Sequence, residues 1–302
     1  MNIGLIDVDD TKFPNLCLMK LSSFYKSLGH TTILLKPRDV LSGDNLFYQC
    51  DKLIGASVFT SNIKISSELE KAGILVAGTG TNRKDVLPDH IEHIFPDYSL
   101  YSISDTAYGF LTRGCPRRCP FCIVSDKEGS KSIKVADLSE WWNGQKNIKL
   151  LDPNILACPD HIGLLEQLRD SKAYIDVTQG MDARLLSDTN LEVIKDIKIK
   201  RIHFAWDNPK DKVVPEKLKL FKGYTKNLKT DYVKHKCYVL TNYWSTLEED
   251  LYRVYWLRDN GFDPYVMIYD KPNAPKEIRR LQGWVNNKRI FRTCNKFDEY
   301  SR

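Results

Sequence analysis

Short apolar runs recur along the chain, each followed by a stretch with helical spacing. "NIGLIDVD" (2–9) is an almost unbroken apolar run, as a strand covered on both faces requires. "PNLCLMKLSSFYKSLGH" (14–30) predicts a helix that begins at a proline and closes near Gly29. "TTILL" (31–35), "DKLIGASVF" (51–59) and "GILVAG" (73–78) predict further strands, the last two separated by helical "SNIKISSELEKAG" (61–73). That alternation implies a parallel sheet layered with helices, a Rossmann-like arrangement.

The rhythm then pauses. "TNRKDVLPDHIEHIFPDYS" (81–99) is polar and carries two prolines, which suits a connection between domains. A second series follows, with strands expected at 107–113, 147–153, 173–179, 201–207, 235–242 and 264–270. Helical patterns separate them, among them "VADLSEWWNGQ" (135–145), "HIGLLEQLRD" (161–170) and "TLEEDLYRVYWLRDNG" (246–261). Six strands alternating with helices predict a partial (β/α)6 barrel, with its chemistry at the C-terminal strand ends. The fold expected is therefore α/β: residues 1–95 Rossmann-like, 96–270 a partial β/α barrel, and 271–302 a basic extension.

Charge sharpens the last boundary. The chain of 302 residues has a net charge of +6, and all of it arises after residue 270, where nine Lys/Arg face three Asp/Glu. "NNKRIFRTCNKF" mixes aromatic and basic residues, which would suit either a nucleic acid or a solvated surface. No apolar run is long enough for a membrane span, and "MNIGLIDVDD" lacks a signal-peptide pattern, so the expected compartment is the cytoplasm. There thiols stay reduced, and clustered cysteines point to metal or catalysis.

Of eight cysteines, five are scattered and three are clustered in "GFLTRGCPRRCPFCIV" (109–124): Cys115, Cys119 and Cys122. Structural zinc wants four ligands, usually from two paired elements, and no second pair is present. A redox C-x-x-C pair leaves Cys115 unexplained. A [4Fe–4S] cluster takes one thiolate per iron, so three cysteines leave one iron open to a small molecule.

"RGCPRRCPFC" resembles the C-x3-C-x-aromatic-C signature of the radical S-adenosylmethionine (radical SAM) superfamily, including its position after the first barrel strand. The resemblance implies that Cys115, Cys119 and Cys122 ligate a [4Fe–4S] cluster. It also implies that SAM bound at the open iron is cleaved reductively to a 5′-deoxyadenosyl radical, which takes a hydrogen atom from a substrate. By position, Phe121 would lie near the adenine. Asp152 and Asn154 follow the second strand, where the family often carries a Gly-Gly-Glu stretch that is absent here. Gln179, Asp182 and Arg184 follow the third strand, where the family contacts the ribose and carboxylate of SAM. Asp207 ends the fourth strand and Asn242 the fifth, without the family's glycine-rich adenine motif. Each of these polar residues could equally be a helix cap or a loop residue. His203 reads as a hydrogen-bonded core histidine, and Cys158 as a buried thiol.

The first domain resembles the cobalamin-binding domain of cobalamin-dependent radical SAM proteins. Their D-x-H-x-x-G histidine is missing from "DVDDTKFPNLC" (7–17), so cobalamin is expected to be absent or bound without a histidine ligand. "GTGTNR" (78–83) lacks the third glycine of a dinucleotide fingerprint. The implied partners are an electron donor such as flavodoxin or ferredoxin, an unidentified substrate, and a nucleic acid through the basic tail. The alternative is an iron–sulfur protein with a structural or redox-sensing role and no turnover; a zinc module is a third reading.

Overall fold

The computed structural model describes residues 1–42, 50–83, 85–225 and 234–301. The protein is a mixed α/β chain that divides into two compact units, 1–109 with 136–148, and 110–135 with 149–302.

The first unit holds a parallel sheet of β1 (Asn2–Asp7), β2 (Thr31–Leu35), β3 (Lys52–Ala56) and β4 (Leu75–Ala77), in the order β2-β1-β3-β4. Central β1 is buried from Ile3 onward, as a strand covered by helices on both faces must be. Gly4 lets the layers close: a Cβ there would stand 2.5 Å from Leu53 and 2.8 Å from Leu35. The helix predicted after β1 runs Leu16–Ser27, and Asn15 caps it by accepting from the Leu18 amide at 3.3 Å. Leu18 and Leu21 of that helix pack on Ile3, Leu5, Ile54 and Ile91.

One helix expected from the sequence does not form. In "VADLSEWWNGQ" a capping box between Asp137 and Glu140 opens only a single 3-10 turn, Leu138–Glu140. The chain then turns away through Gly144 at φ 84°, with the Trp142 indole donating to the Gln145 carbonyl at 2.9 Å. Tertiary packing overrides the helical periodicity: Trp141 is buried, its ring lies where a Gly109 Cβ would be, and its carbonyl accepts from the Tyr98 hydroxyl at 2.6 Å.

The second series follows its predicted rhythm. Its strands are β5 (Thr106–Gly109), β6 (Thr112–Arg113), β7 (Ile133–Lys134), β8 (Asn147–Leu150), β9 (Tyr174–Val177), β10 (Ile199–Ala205), β11 (Lys234–Thr241) and β12 (Asp263–Ile268). Six form one sheet in sequential order, β5-β8-β9-β10-β11-β12, with parallel pairing throughout β9 to β12. A sequential parallel order with helical crossovers is the arrangement of a partial β/α barrel. Ile202 and Phe204 of β10, and Cys237 and Val239 of β11, are buried on the helix side, where Phe221 and Phe262 pack edge-on against Phe204.

The basic C-terminal residues continue this unit. Helix Lys276–Asn286 buries Leu281, Trp284 and Val285 together with Val254, Val266, Phe291, Phe297 and Tyr300. The tail aromatics Phe291 and Phe297 are therefore core residues. Arg280 donates to the carbonyls of Phe297 and Tyr300 at 3.0 and 2.8 Å, which pins the chain end. Among the described residues no helix is long and apolar enough to cross a membrane.

Candidate functional site

The strand expected at 107–113 breaks in two, and the break creates the cysteine loop. Asp152, at the C-terminal end of β8, accepts from the Leu111 amide at 2.9 Å and from the Thr112 amide and hydroxyl at 2.6 Å each. Those bonds divert the chain out of the large sheet after β5. It leaves through β6, which pairs antiparallel with β7, so a short ribbon closes the neck of an excursion spanning 114–132. Gly114 begins the excursion at φ 83°, and a Cβ there would meet the Lys131 carbonyl oxygen at 2.1 Å. Only glycine passes at that point. The Cys115 amide then donates to the Gly129 carbonyl at 3.0 Å.

Cys115 and Cys119 are partly exposed and Cys122 is exposed; all three are free thiols. Cys122 donates its amide to the Cys119 carbonyl at 2.9 Å, and a short helix, Val124–Lys127, follows. Arg118, Cys119, Pro120, Cys122, Ser125 and Asp126 line an open hollow of ≈ 320 Å³. Among the described residues no group of three or more His, Cys, Asp or Glu side chains is arranged to hold a single metal ion.

The polar strand ends fall into two groups. Asn154, Asp182, Arg184 and Asp207 gather around the loop. The Asn154 amide stands 3.5 Å from the Cys115 sulfur, and its buried Oδ1 has no hydrogen-bond partner. Asp182 is held between two arginines, accepting from Arg117 Nε at 2.6 Å and from Arg184 Nε at 2.7 Å. These pairs hold the Asp182 carboxyl below the usual carboxylate range although burial opposes them. Burial pushes the Cys119 thiol up; the Arg184 guanidinium counters this, and Asp207 adds to it. Asp207 itself is pushed up to about 6 by burial, partly offset by Arg253 and Arg184.

The second group is engaged elsewhere or apart. Both oxygens of Asp152 serve the ribbon neck, and burial pushes its carboxyl up to about 6. Asn242, at φ 61°, donates to the Tyr269 carbonyl at 2.8 Å. Gln179 is exposed at the end of β9. Phe121 packs edge-on against Tyr243 and Trp244, at 5.6 and 5.5 Å between ring centroids, so an apolar patch lies beside the cysteines.

Arg117 is the residue whose part is clear only in three dimensions. Sequence shows it as one of three arginines near the cysteines, whereas the fold ties it alone to Asp182 across 65 residues. Arg113 instead lies over the Phe110 ring at 3.7 Å. His203 is the buried, hydrogen-bonded histidine expected, with Nδ1 2.9 Å from the Val177 carbonyl oxygen. Cys158 is buried.

No family model matches the chain, and no curated protein matches it. Among solved structures it is similar to the radical S-adenosylmethionine methyltransferase TsrM from Kitasatospora setae, determined with cobalamin and a [4Fe–4S] cluster bound. The TM-score is 0.62 at 8% sequence identity, over 88% of this chain and 74% of that one. At that identity the likeness is one of fold: parallel α/β layers followed by a β/α barrel.

Proposed function

We propose that the protein is a radical SAM enzyme acting on a substrate yet to be identified. The observation that carries this reading is the loop at 114–132. It sets three free thiols at C-x3-C-x2-C spacing directly after the first strand of a partial β/α barrel. The donor set suits a [4Fe–4S] cluster with one open iron: three free thiols, one of them with the Asn154 amide donating toward its sulfur. When bound, the cluster would supply the electron for the reductive cleavage of SAM.

The chain's own residues then have separable tasks. Cys115, Cys119 and Cys122 would hold the irons. Asn154 donates toward the Cys115 sulfur and keeps an unsatisfied oxygen for the SAM ammonium. Arg117 and Arg184 hold Asp182 and exceed its charge by one, Arg184 Nη1 also lying 3.6 Å from Asp211 Oδ2; the guanidinium N–H groups that remain would suit a carboxylate. Phe121, Tyr243 and Trp244 form the apolar wall against which an adenine ring would stack and from which water is displaced. Gln179, Asp207 and Asn242 complete the polar rim.

Cobalamin has no part in this reading. The loop after β1 offers no histidine, and its Asp9 carboxylate is consumed by four internal donors. Hydroxocobalamin mixed with the protein should elute apart from it on gel filtration; co-elution overturns this point. A nucleic-acid partner would have to use exposed cations such as Lys271, Lys276, Arg279, Arg289, Arg292 and Lys296, because the tail aromatics Phe291 and Phe297 are buried.

The deciding experiment is anaerobic. The protein is reconstituted with iron and sulfide, reduced with dithionite and given SAM. 5′-Deoxyadenosine should form, and should vanish in Cys119→Ala. A cluster whose EPR spectrum is unchanged by SAM, with no deoxyadenosine formed, would favour the redox-sensing alternative.

A further inference from the structure

The second unit has a face that the cysteine loop does not occupy. Parallel register places Arg201 and His203 of β10, Lys236 and Tyr238 of β11, and Tyr265 of β12 on the side opposite the buried Phe204, Cys237 and Val239. A closed barrel fills this side with branched apolar layers. Here it carries charge. Lys149 of β8 and Asp176 of β9 belong to the same group: Lys149, His203 and Tyr238 all lie within the electrostatic reach of both Asp176 and Arg201.

Two features mark this face as a site. The first is an unmet acceptor. Asp176 is 7% exposed, its Oδ2 lies 3.7 Å from Arg201 Nη1, and its buried Oδ1 has no hydrogen-bond partner. Such an oxygen costs about 1–3 kcal/mol unless something donates to it. The second is excess positive charge beside flat rings. Arg201 and Lys236 share the face with Asp176, while Asp263, another nearby acid, is held by Lys288 at 2.6 Å. Lys236 Nζ sits 5.6 Å above the Tyr265 ring, and Tyr238 stacks on His203 at 5.2 Å and meets Tyr265 edge-on at 5.8 Å. The Arg201 side chain remains 43% exposed, so an anion can reach it.

We propose that this face binds a small aromatic oxyanion that also carries an N–H or O–H donor. The oxyanion is held by Arg201 and Lys236, the donor by Asp176 Oδ1, and the ring by Tyr238 and Tyr265. Taking that ligand as the substrate rests on the radical SAM reading; its binding does not, since no group on this face belongs to the cysteine loop.

The test uses the full chain without cluster or SAM. 4-Aminobenzoate and 4-aminophenyl phosphate present the same ring and amine with a carboxylate or a phosphate, and 4-aminobenzamide is the uncharged control. Equilibrium dialysis at millimolar probe should show saturable binding of at least one anion, and the tighter of the two identifies the oxyanion. Arg201→Gln and Lys236→Gln should each weaken it roughly tenfold, as loss of a charge-assisted hydrogen bond does. Asp176→Asn should weaken the aminated probe while leaving unsubstituted benzoate unchanged. Circular dichroism melts establish that each variant is folded. Binding of neither anion, or binding indifferent to both cationic substitutions in folded protein, overturns the proposal. Probe binding without deoxyadenosine formation would instead count against the enzyme reading alone.

Discussion

The two parallel sheets end in loops of opposite character. At the C-terminal ends of the first sheet, polar groups are spent on one another. Asp9 accepts from Val58 N at 2.6 Å, Asn62 Nδ2 at 2.8 Å, Ser57 Oγ at 3.2 Å and Phe59 N at 3.3 Å. Tyr101 donates to Asp7 at 2.8 Å, and Gly78, at φ 119°, lies so close to the Ser57 carbonyl that a Cβ would stand 2.2 Å from its oxygen. In the second sheet the same positions carry three free thiols, the unpaired Oδ1 of Asn154 and, within β9, that of Asp176. Both regions share one layer architecture, so architecture alone does not separate them; they differ in how far the polar groups at their strand ends are paired with one another.

Asp152 offers the largest effect with which to break that contrast. It is the saturated carboxylate of the second region, and Asp152→Ala strands two buried amides and a hydroxyl. We expect a loss of about 3–5 kcal/mol in urea unfolding, with deoxyadenosine formation falling as the loop neck opens. Asp9→Ala in the first region, where the same kind of carboxylate sits nearer solvent, should cost about 1–2 kcal/mol and leave SAM cleavage intact. If both variants damage cleavage equally, the division between closed and open loops is wrong.

His235 gives a smaller, pH-dependent effect. Its Nδ1 meets Lys222 Nζ at 2.7 Å, and burial, aided by the lysine charge, depresses its pKa to about 4. A depressed base is neutral when folded, while the unfolded chain takes up a proton near pH 6.5. The associated stability is therefore present above that pH and lost as pH falls toward 4. Between pH 7.5 and 5 the loss amounts to about 2 kcal/mol. It is read as the difference in urea midpoint between the wild type and His235→Phe at the two pH values. A pH-independent difference would show that the histidine is already charged in the fold.

Arg117→Gln probes the loop clasp. A partly exposed ion pair contributes little to stability, so unfolding should shift by less than about 1 kcal/mol. Deoxyadenosine formation should nonetheless fall roughly tenfold, since small displacements of a reacting constellation are costly. Reconstituted iron content should remain at the wild-type level. A rate that follows stability alone would reduce Arg117 to a surface residue.

Much of this arrangement was legible in the chain. Strands β1–β4 and β8–β12 coincide with the apolar runs because parallel strands buried on a helix layer need continuous apolar sequence. The cysteine spacing marked the loop. What periodicity could not show were the long-range bonds: the division of 107–113 is imposed by Asp152, some 40 residues away, and the choice of Arg117 over Arg113 by Asp182. The helix expected at 135–145 failed for the same reason, since Trp141 has a better partner in the packed interior. Asp176 and Arg201 were invisible as a pair because charges inside strands look like solvent-facing residues until register is known.

The finest test concerns Asn154, whose two ends carry the contrast in one side chain. Its Nδ2 lies 3.5 Å from the Cys115 sulfur, while Oδ1 is buried and unpaired. A hydrogen bond to a cluster sulfur stabilises the reduced, more negative state and raises its potential. Asn154→Ala should therefore move the potential of the reconstituted cluster to a more negative value in an EPR-monitored titration. The same variant relieves the orphaned oxygen, so the SAM-free protein should unfold no more easily than the wild type. The affinity for SAM, read from its perturbation of the reduced EPR signal, should nevertheless weaken. An unchanged potential would separate Asn154 from the sulfur. A weakened fold with unchanged SAM affinity would make its buried oxygen a structural group after all, and the second sheet's loops would then be as closed as the first's.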